Sequence, residues 1–280
     1  LKAAIYGEKV NLVGEQLDIS SMDILDQTEV LGDVSSSLNS DITINVDKMI
    51  LKKGQVEKVT GDLKLKGGKW QYIDFKGQNE NDGFHFSLKK PSSDHNAIRF
   101  TANSVGEVLK EAGLLNTFKK GVLKANADIY TVEGQKEGRG LIKIDKTYMV
   151  KAPILAKLLS LISLEELLSS KDGIYFDDVE IPLLFVGDEI ITDHAYLSGP
   201  SIGLRLRGKI NTTKKTVNLE GQLIPAEGLN SFIAKIPLLG DLLTGSQSGL
   251  LVADFKVKGS IKDPKVTANP LSFVMPGLVK

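Results

Sequence analysis

The chain has 280 residues, with 35 Lys and Arg side chains against 35 Asp and Glu, so its formal net charge is zero. This balance argues against a nucleic-acid-binding protein, which needs an excess of basic side chains to contact phosphates. Because the sequence contains no cysteine, thiol catalysis, disulfide bonds and zinc–thiolate sites are excluded.

The first residues already have the character of a strand interior. Leu1 is followed by Lys, Ala, Ala, Ile and Tyr, with no signal peptide and no initiating Met. No apolar run approaches the roughly 18 residues that span a bilayer. We therefore expect a fragment of a longer protein, whose targeting or anchoring segments lie outside this chain.

Alternation of apolar and polar residues dominates the chain. It runs through Asp41–Asp47, Phe84–Leu88, Leu123–Ile129 and Ile202–Ile210. Turn-forming sequences separate the alternating segments at 66–69, 133–138, 211–215 and 262–265. A period of two with one polar face is typical of antiparallel strands that expose one side to water. We count about fourteen such strands, which predicts a mainly β protein.

Two short helices are predicted from their start signals. Ser104 and Glu107 form a capping box that starts a helix running to Ala112. Pro153 occupies a first helical position and precedes an apolar run, after which a second capping box at Ser163 predicts a restart.

A third helix is predicted from about residue 229 to 243, broken by Pro237 and ended by Gly245. Two interpretations remain open: a core helix that closes one end of a sheet, or an amphipathic element that faces a membrane. The apolar residues that define this helical element are Phe232, Ile236, Leu239 and Leu242.

The number of strands raises the question of what covers their apolar faces. About fourteen strands at about 4.8 Å spacing make a sheet some 65 Å wide, and three short helices cannot cover it. The sheet must fold into a sandwich, close as a barrel, or curl into a trough whose inner face meets something apolar. The strand pattern alone does not decide between these architectures.

Candidate catalytic and metal-binding residues are few. Gly199–Gly203 matches the G-x-S-x-G string of hydrolases, but an alternating strand follows Ser201 where the motif requires a helix. A metal site would need His85 and His95 on one face together with a third ligand, but His85 lies on the polar side of a strand and Asp94–Asn96 is typical of a loop, so a solvated surface pair is expected. The adjacent Asp177–Asp178 pair points to opposite faces of a strand and cannot act jointly. We predict no catalytic residue, no metal site and no cofactor.

The C-terminal part of the chain carries a characteristic order of segments. Gln222–Asn230 is followed by Ile236–Gly245, and Phe255–Gly259 is followed by Asp263–Val266 and Asn269–Ser272. This order resembles the C-terminal region of the AsmA-like family, which comprises the YhdP- and TamB-related envelope proteins of Gram-negative bacteria.

The same resemblance divides the chain in two. Val105–Gly121, Ala152–Ala156 and Asp172–Phe176 extend it upstream. We therefore predict an AsmA-like C-terminal region at 97–280. The resemblance is weaker over 1–96, which we predict to be an N-terminal β-groove segment of the same continuous sheet.

The resemblance implies a fold and a location. Such proteins form long, curved β-grooves lined with apolar residues, which carry phospholipid toward the outer membrane. For this chain it implies a highly curved antiparallel sheet that forms an open trough, with short helices toward the C-terminal half. It also implies a periplasmic protein, anchored to the inner membrane by a segment outside this chain.

We expect the apolar face to bind phospholipid or another acyl-chain lipid and to conduct it passively between the two membranes, without enzymatic activity. The predicted groove residues are Ile202, Leu204, Leu206, Val217, Leu219, Leu223, Leu251, Phe255 and Val257. One alternative is a scaffold for outer-membrane protein assembly that acts through strand edges, with outer-membrane or other envelope proteins as partners. The other is a hydrolase with Ser201 as nucleophile.

Overall fold

The computed structural model describes residues 1–21, 38–51, 53–79, 82–111, 117–150, 152–161, 172–225 and 252–269. These residues form fifteen strands and two short helices, so the prediction of a mainly β protein is confirmed. The chain divides into two compact units, Leu1–Thr147 (unit 1) and Tyr148–Lys280 (unit 2). These two units are defined by how compactly their residues pack together. The predicted boundary at residue 96 was instead placed where the sequence resemblance weakens, and it stays a prediction.

Unit 1 contains one helix, eight strands and most of a ninth. Its elements are β1 (Lys2–Tyr6), β2 (Lys9–Asp18), β3 (Ser40–Ile50), β4 (Gln55–Lys66), β5 (Lys69–Asn79), β6 (Asp82–Ser92), β7 (His95–Ala102), α1 (Val105–Glu111), β8 (Phe118–Val132) and β9 (Gln135–Met149). Each strand lies beside its neighbours in sequence. The β1–β2 pair and all pairs from β3 to β8 are antiparallel.

One pair in unit 1 departs from the antiparallel pattern, because β2 and β3 run parallel. Parallel neighbours need a crossover connection of about a dozen residues or more. The chain between Asp18 and Ser40 is long enough for that crossover. The alternation within each strand does not distinguish the two orientations, so the sequence carried no signal for this pair.

Unit 2 contains the second helix and six strands. Its elements are α2 (Pro153–Leu161), β10 (Ile174–Val186), β11 (Glu189–Ser198), β12 (Ile202–Asn211), β13 (Thr216–Pro225), β14 (Ala253–Ser260) and β15 (Pro264–Asn269). The strands follow one another in chain order and every pair is antiparallel.

The strands bury one face and expose the other, as their alternation predicted. In β14, Ala253, Phe255 and Val257 are buried while Asp254 and Lys256 are exposed. Each of the four predicted turn regions contains the connection between two strands, although 133–138 and 262–265 also reach into the first residues of β9 and β15. At the β4–β5 turn, two successive glycines have φ angles of 56° and 70°, which other residues rarely adopt.

Helix α1 shows that the sheet of unit 1 is curved. The helix starts against β8, where a Cβ added to Gly106 would lie 2.7 Å from Lys119 Cα. It ends at the β3–β4 turn, where a Cβ added to Gly54 would lie 3.0 Å from Glu111 Cγ. A flat sheet would separate β4 from β8 by about 19 Å, whereas a seven-residue helix is only about 10 Å long. The curvature that the family resemblance implied is therefore present in unit 1, and among the described strands the sheet order does not close on itself.

Helix α2 packs against β15 in unit 2. It starts at Pro153 as predicted, and Leu155, Leu158 and Leu159 are buried. Lys157 on its exposed side forms an ion pair with Asp263, with 3.2 Å between Nζ and Oδ1.

Several predictions fall outside the described residues. They are the helix restart at Ser163, the whole third helix with Phe232, Ile236, Leu239 and Leu242, and the groove residue Leu251. Within the described ranges, neither helix has the length and apolar character required to cross a bilayer.

Candidate functional site

Eight of the nine predicted groove residues lie on one face of the unit 2 sheet. Strand pairing sets Leu204 opposite Leu223, and Leu219 opposite Val257. Phe255 follows at the next position of the same parity on β14. The sequence therefore identified a common apolar face on β12, β13 and β14.

Most of this face is buried. Six of the residues are at most 8% exposed, while Leu206 and Leu219 are partly exposed; the six are Ile202, Leu204, Val217, Leu223, Phe255 and Val257. In this conformation the buried side chains are packed away from solvent. Contact between these eight residues and lipid stays a prediction.

Unit 1 presents a second apolar face, which the sequence reasoning did not single out. Strand pairing aligns two rows of residues across β2 to β8. The first row consists of Val10, Ile42, Leu63, Ile73, Leu88, Ile98 and Ala127. The second row consists of Leu12, Ile44, Gly61, Phe75, Phe86, Phe100 and Ala125. We call these fourteen residues the unit 1 apolar face.

The unit 1 apolar face is only partly covered. Every member of the second row except Gly61 has intermediate exposure. Next to it, toward the β3–β4 turn, a tightly packed cluster includes Val46, Val56 and Val59, and Ile44 packs against it. The face is therefore closed by side chains at that end and accessible along the second row.

Phenylalanine rings form a continuous chain across β5, β6 and β7. The ring centroids are 5.9 Å apart for Phe75 and Phe84, 6.5 Å for Phe84 and Phe100, and 6.2 Å for Phe86 and Phe100. Tilted and edge-to-face pairs of this kind are favourable arrangements for aromatic rings. They supply a rigid apolar surface with few rotatable bonds.

Glycines opposite these rings let them lie along the sheet. A Cβ added to Gly61 would lie 3.0 Å from Phe75 Cδ2, and one added to Gly77 would lie 2.9 Å from Phe84 Cε1. In unit 2, a Cβ on Gly221 would lie 2.7 Å from Phe255 Cζ. In the sequence, each of these positions is a glycine inside an alternating strand. Such a glycine often indicates that another group approaches the backbone closely.

The polar face of unit 1 carries two histidine–carboxylate pairs. His85 Nε2 lies 3.0 Å from Asp74 Oδ2, and His95 Nε2 lies 2.9 Å from Asp128 Oδ1. The two histidines therefore have different carboxylate partners and form no common site. Across the described ranges, no group of three or more potential metal ligands occurs.

The carboxylate in the second pair is held in its charged form. Partial burial by itself would raise the pKa of Asp128, but hydrogen bonds from His95 and Arg99 outweigh it and lower that pKa below its usual range. The Arg99 guanidinium approaches Asp128 Oδ2 to 2.8 Å. These groups join β7 to β8 on the water-facing side.

The serine of the hydrolase-like string lies directly before β12. A strand follows Ser201, so the strand–turn–helix context of a nucleophile elbow is not found here. Asp177 and Asp178 have separate tyrosine partners, Tyr175 and Tyr196.

The family model described as YhdP protein matches residues 7–266. The matched range includes β2 to β14 and therefore parts of both units. No curated protein and no solved structure matches the chain.

Proposed function

We propose that this chain, which belongs to the YhdP family, binds phospholipid or other acyl-chain lipids on its apolar sheet faces and conducts them passively along these faces. Family membership supports a function in the cell envelope. On this proposal the chain works in the periplasm, as part of a protein anchored in the inner membrane. It provides an apolar path for lipid between the inner and outer membranes and catalyses no reaction.

The unit 1 apolar face is the observation that carries this proposal. Its second row crosses seven strands with no charged member, and six of its seven members are partly exposed. Each methylene that is fully buried against such a surface contributes about 0.8 kcal/mol, and one that stays partly in water contributes less. This attraction depends on apolar area rather than on directional bonds, so it suits acyl chains of differing structure.

Two substitutions on one strand test the proposal. Phe100 points to the apolar face, whereas its neighbour Thr101 is exposed on the polar face. Phe100→Asp introduces a charge where acyl chains are proposed to lie, and Thr101→Asp adds the same charge on the other side. Phe100→Ser serves as the milder variant if the aspartate prevents folding, which circular dichroism and urea unfolding will show.

Native mass spectrometry of the purified chain and uptake of a fluorescent fatty acid are the measurements. We expect lipid on the wild-type protein and on Thr101→Asp, and a loss of at least about tenfold on the folded Phe100 variant. A wild-type chain that carries no phospholipid and takes up no fatty acid would refute the proposal. Equal binding by both aspartate variants would refute the placement of lipid on this face.

The scaffold alternative rests on a different observation, the edge of β1. Among the described strands, β1 pairs only with β2, and Ile5 is 69% exposed. Tyr6 and Lys9 flank a two-residue turn and are paired across the hairpin. Because alternate residues of β1 bond to β2, the N–H groups of Ala3 and Ile5 point away from β2. Ile5→Pro removes one outward donor and should abolish strand addition by a partner, while leaving lipid uptake unchanged.

A further inference from the structure

One end of the unit 2 sheet is formed by hairpin turns that lie side by side. They connect β10 to β11, β12 to β13 and β14 to β15, and comprise residues 187–188, 212–215 and 261–263. The Thr212 N–H donates to the Asp188 carbonyl at 2.9 Å, and the Ile261 N–H donates to the Lys215 carbonyl at 3.0 Å. These bonds join each turn to the next and hold the turns in one row.

Lysine side chains concentrate at this end of the sheet. Five of them are exposed and have ammonium groups without an ion pair or hydrogen bond to any described residue. We call them the basic end: Lys214, Lys215, Lys258, Lys262 and Lys265. Lys258 on β14 lies directly opposite Lys265 on β15. Like charges in that position repel each other and destabilise a sheet, so strand stability does not account for this pair.

Few carboxylates offset the charge of the basic end. Asp188 and Asp263 lie in the turns, and Glu189 starts β11. Glu189 Oε1 lies 2.8 Å from Lys209 Nζ, and Asp263 Oδ1 lies 3.2 Å from Lys157 Nζ. Each of these two carboxylates thus has a lysine of its own outside the basic end. Among the described residues of these turns, Asp188 alone is left to offset the basic end, which is therefore positive although the whole chain has zero net charge.

Exposed apolar side chains stand among these lysines. Ile261 precedes Lys262 in the β14–β15 turn and is 45% exposed, and Val186 at the end of β10 is also 45% exposed. A soluble anionic polymer attracts lysines but offers no apolar contact to an isoleucine. A bilayer surface offers both anionic head groups and an acyl boundary just beneath them. The combination of lysines and exposed apolar residues therefore favours a lipid surface over a polymer.

We propose that the basic end docks on the surface of an anionic phospholipid bilayer. The lysines contact the head groups, and Ile261 inserts at the boundary with the acyl chains. Neighbouring strands are about 5 Å apart, less than the Debye length of about 8 Å at physiological salt, so adjacent lysines act on the same patch of surface. This contact goes beyond the proposed function, because it involves hairpin turns and an intact bilayer rather than single acyl chains on the apolar faces.

Sedimentation of the whole chain with vesicles tests the proposal. Phosphatidylcholine vesicles that contain phosphatidylglycerol are compared with vesicles of phosphatidylcholine alone. We expect at least about tenfold tighter binding to the anionic vesicles. Raising the salt from about 0.1 M to about 1 M should remove most of this difference, because the Debye length falls from about 10 Å to about 3 Å. No binding, or equal binding to both kinds of vesicle, would overturn the proposal.

Matched double variants locate the contact. Lys258→Gln with Lys265→Gln should weaken binding to the anionic vesicles at least about tenfold. Because the change relieves a like-charge pair, this variant should unfold at the same or a higher urea concentration than the wild type. Lys89→Gln with Lys124→Gln removes the same charge from exposed strand residues of unit 1 and should bind like the wild type. An equal loss in both double variants would refute the role of the basic end.

A third variant distinguishes a bilayer from an anionic polymer. Ile261→Ser keeps every lysine of the basic end and removes the apolar side chain. It should weaken vesicle binding at least about threefold and leave binding to heparin, a soluble anionic polymer, unchanged. Binding to heparin but not to vesicles, or vesicle binding that is unaffected by Ile261→Ser, would refute the docking described here.

Uptake of the fluorescent fatty acid separates this proposal from lipid conduction. The double variant of Lys258 and Lys265 should keep the uptake of the wild-type chain, because both side chains lie on the face opposite Phe255 and Val257. Vesicle docking without fatty-acid uptake would count against lipid conduction alone. Uptake without vesicle docking would count against the basic end alone.

Discussion

Replacing Gly77 by alanine should destabilise unit 1, because the sheet leaves no space for one methyl group. A Cβ at this position would lie 2.5 Å from Val56 Cγ1 and 2.9 Å from Phe84 Cε1, well inside the normal carbon contact of about 3.5–4.0 Å. Val56 is buried, with 6% of its surface exposed. It is also β-branched, so it has few rotamers with which to move away.

The size of the effect follows from two opposing contributions. Forcing an extra carbon into a packed core costs about 1–3 kcal/mol. Alanine in a strand is favoured over glycine by about 0.5–1 kcal/mol, because the unfolded chain loses less entropy. We therefore expect Gly77→Ala to lower the free energy of unfolding by about 1 kcal/mol, within a range of about 0–2.5 kcal/mol.

Urea unfolding monitored by circular dichroism measures this loss, and Gly83→Ala is the matched control. Gly83 lies opposite Gln78 in the same hairpin, and the nearest atom to its added Cβ is the Gly77 carbonyl oxygen at 3.8 Å. The control should be neutral or slightly stabilising. Equal stability of the two variants would refute the packing argument.

A double-mutant cycle identifies the group that the methyl meets. Val56→Ala removes the Cγ1 atom that lies 2.5 Å from the added Cβ. The double variant should therefore lose less stability than the sum of the two single variants, by at least about 0.5 kcal/mol. Simple additivity would show that Val56 is not the obstacle.

Three further substitutions separate buried, exposed and titrating contributions. Phe176 is 0% exposed, so Phe176→Ala should cost about 3–5 kcal/mol in urea unfolding. The Arg207 side chain is 70% exposed in its ion pair, so Arg207→Ala should lower the free energy of unfolding by no more than about 1 kcal/mol. Partial burial raises the pKa of Asp128, but hydrogen bonds from His95 and Arg99 outweigh this effect and lower the pKa in the folded state. The charged carboxylate therefore contributes its full stabilisation above the unfolded pKa of about 3.9, and this contribution is lost as the pH falls further. Asp128→Asn should accordingly lower the free energy of unfolding at pH 7 and make that free energy fall less steeply below about pH 4. An unchanged pH dependence below about pH 4 would contradict this.

Much of the local structure could be read from the sequence, because it depends on neighbouring residues. Alternation placed strands such as β12 and β14, and start signals placed α1 after Ser104 and α2 at Pro153. The same parity placed eight predicted groove residues on one face. Residues two apart in a strand share a face whatever the strand pairs with, so this inference needed no tertiary information.

The unit 1 apolar face could not be assembled in the same way. Its alternating segment from Phe84 to Leu88 was visible, but its rows depend on which residue of each strand lies opposite which. The Gly77–Phe84 pair shows the difficulty, since the glycine accommodates a ring from the next strand. Such cross-strand packing is a property of register, which one strand alone does not specify.

The sequence by itself determined that the net charge is zero, that charged and apolar residues are sorted onto opposite faces of strands, and where both described helices begin. Only the tertiary structure decided that β2 and β3 run parallel, and that most predicted groove residues of unit 2 are buried while the second row of the unit 1 apolar face is partly exposed. The face that a strand residue occupies and the start of a helix are local properties, because they depend on residues only a few positions apart. Burial, orientation and charge pairing arise when strands distant in sequence are brought side by side.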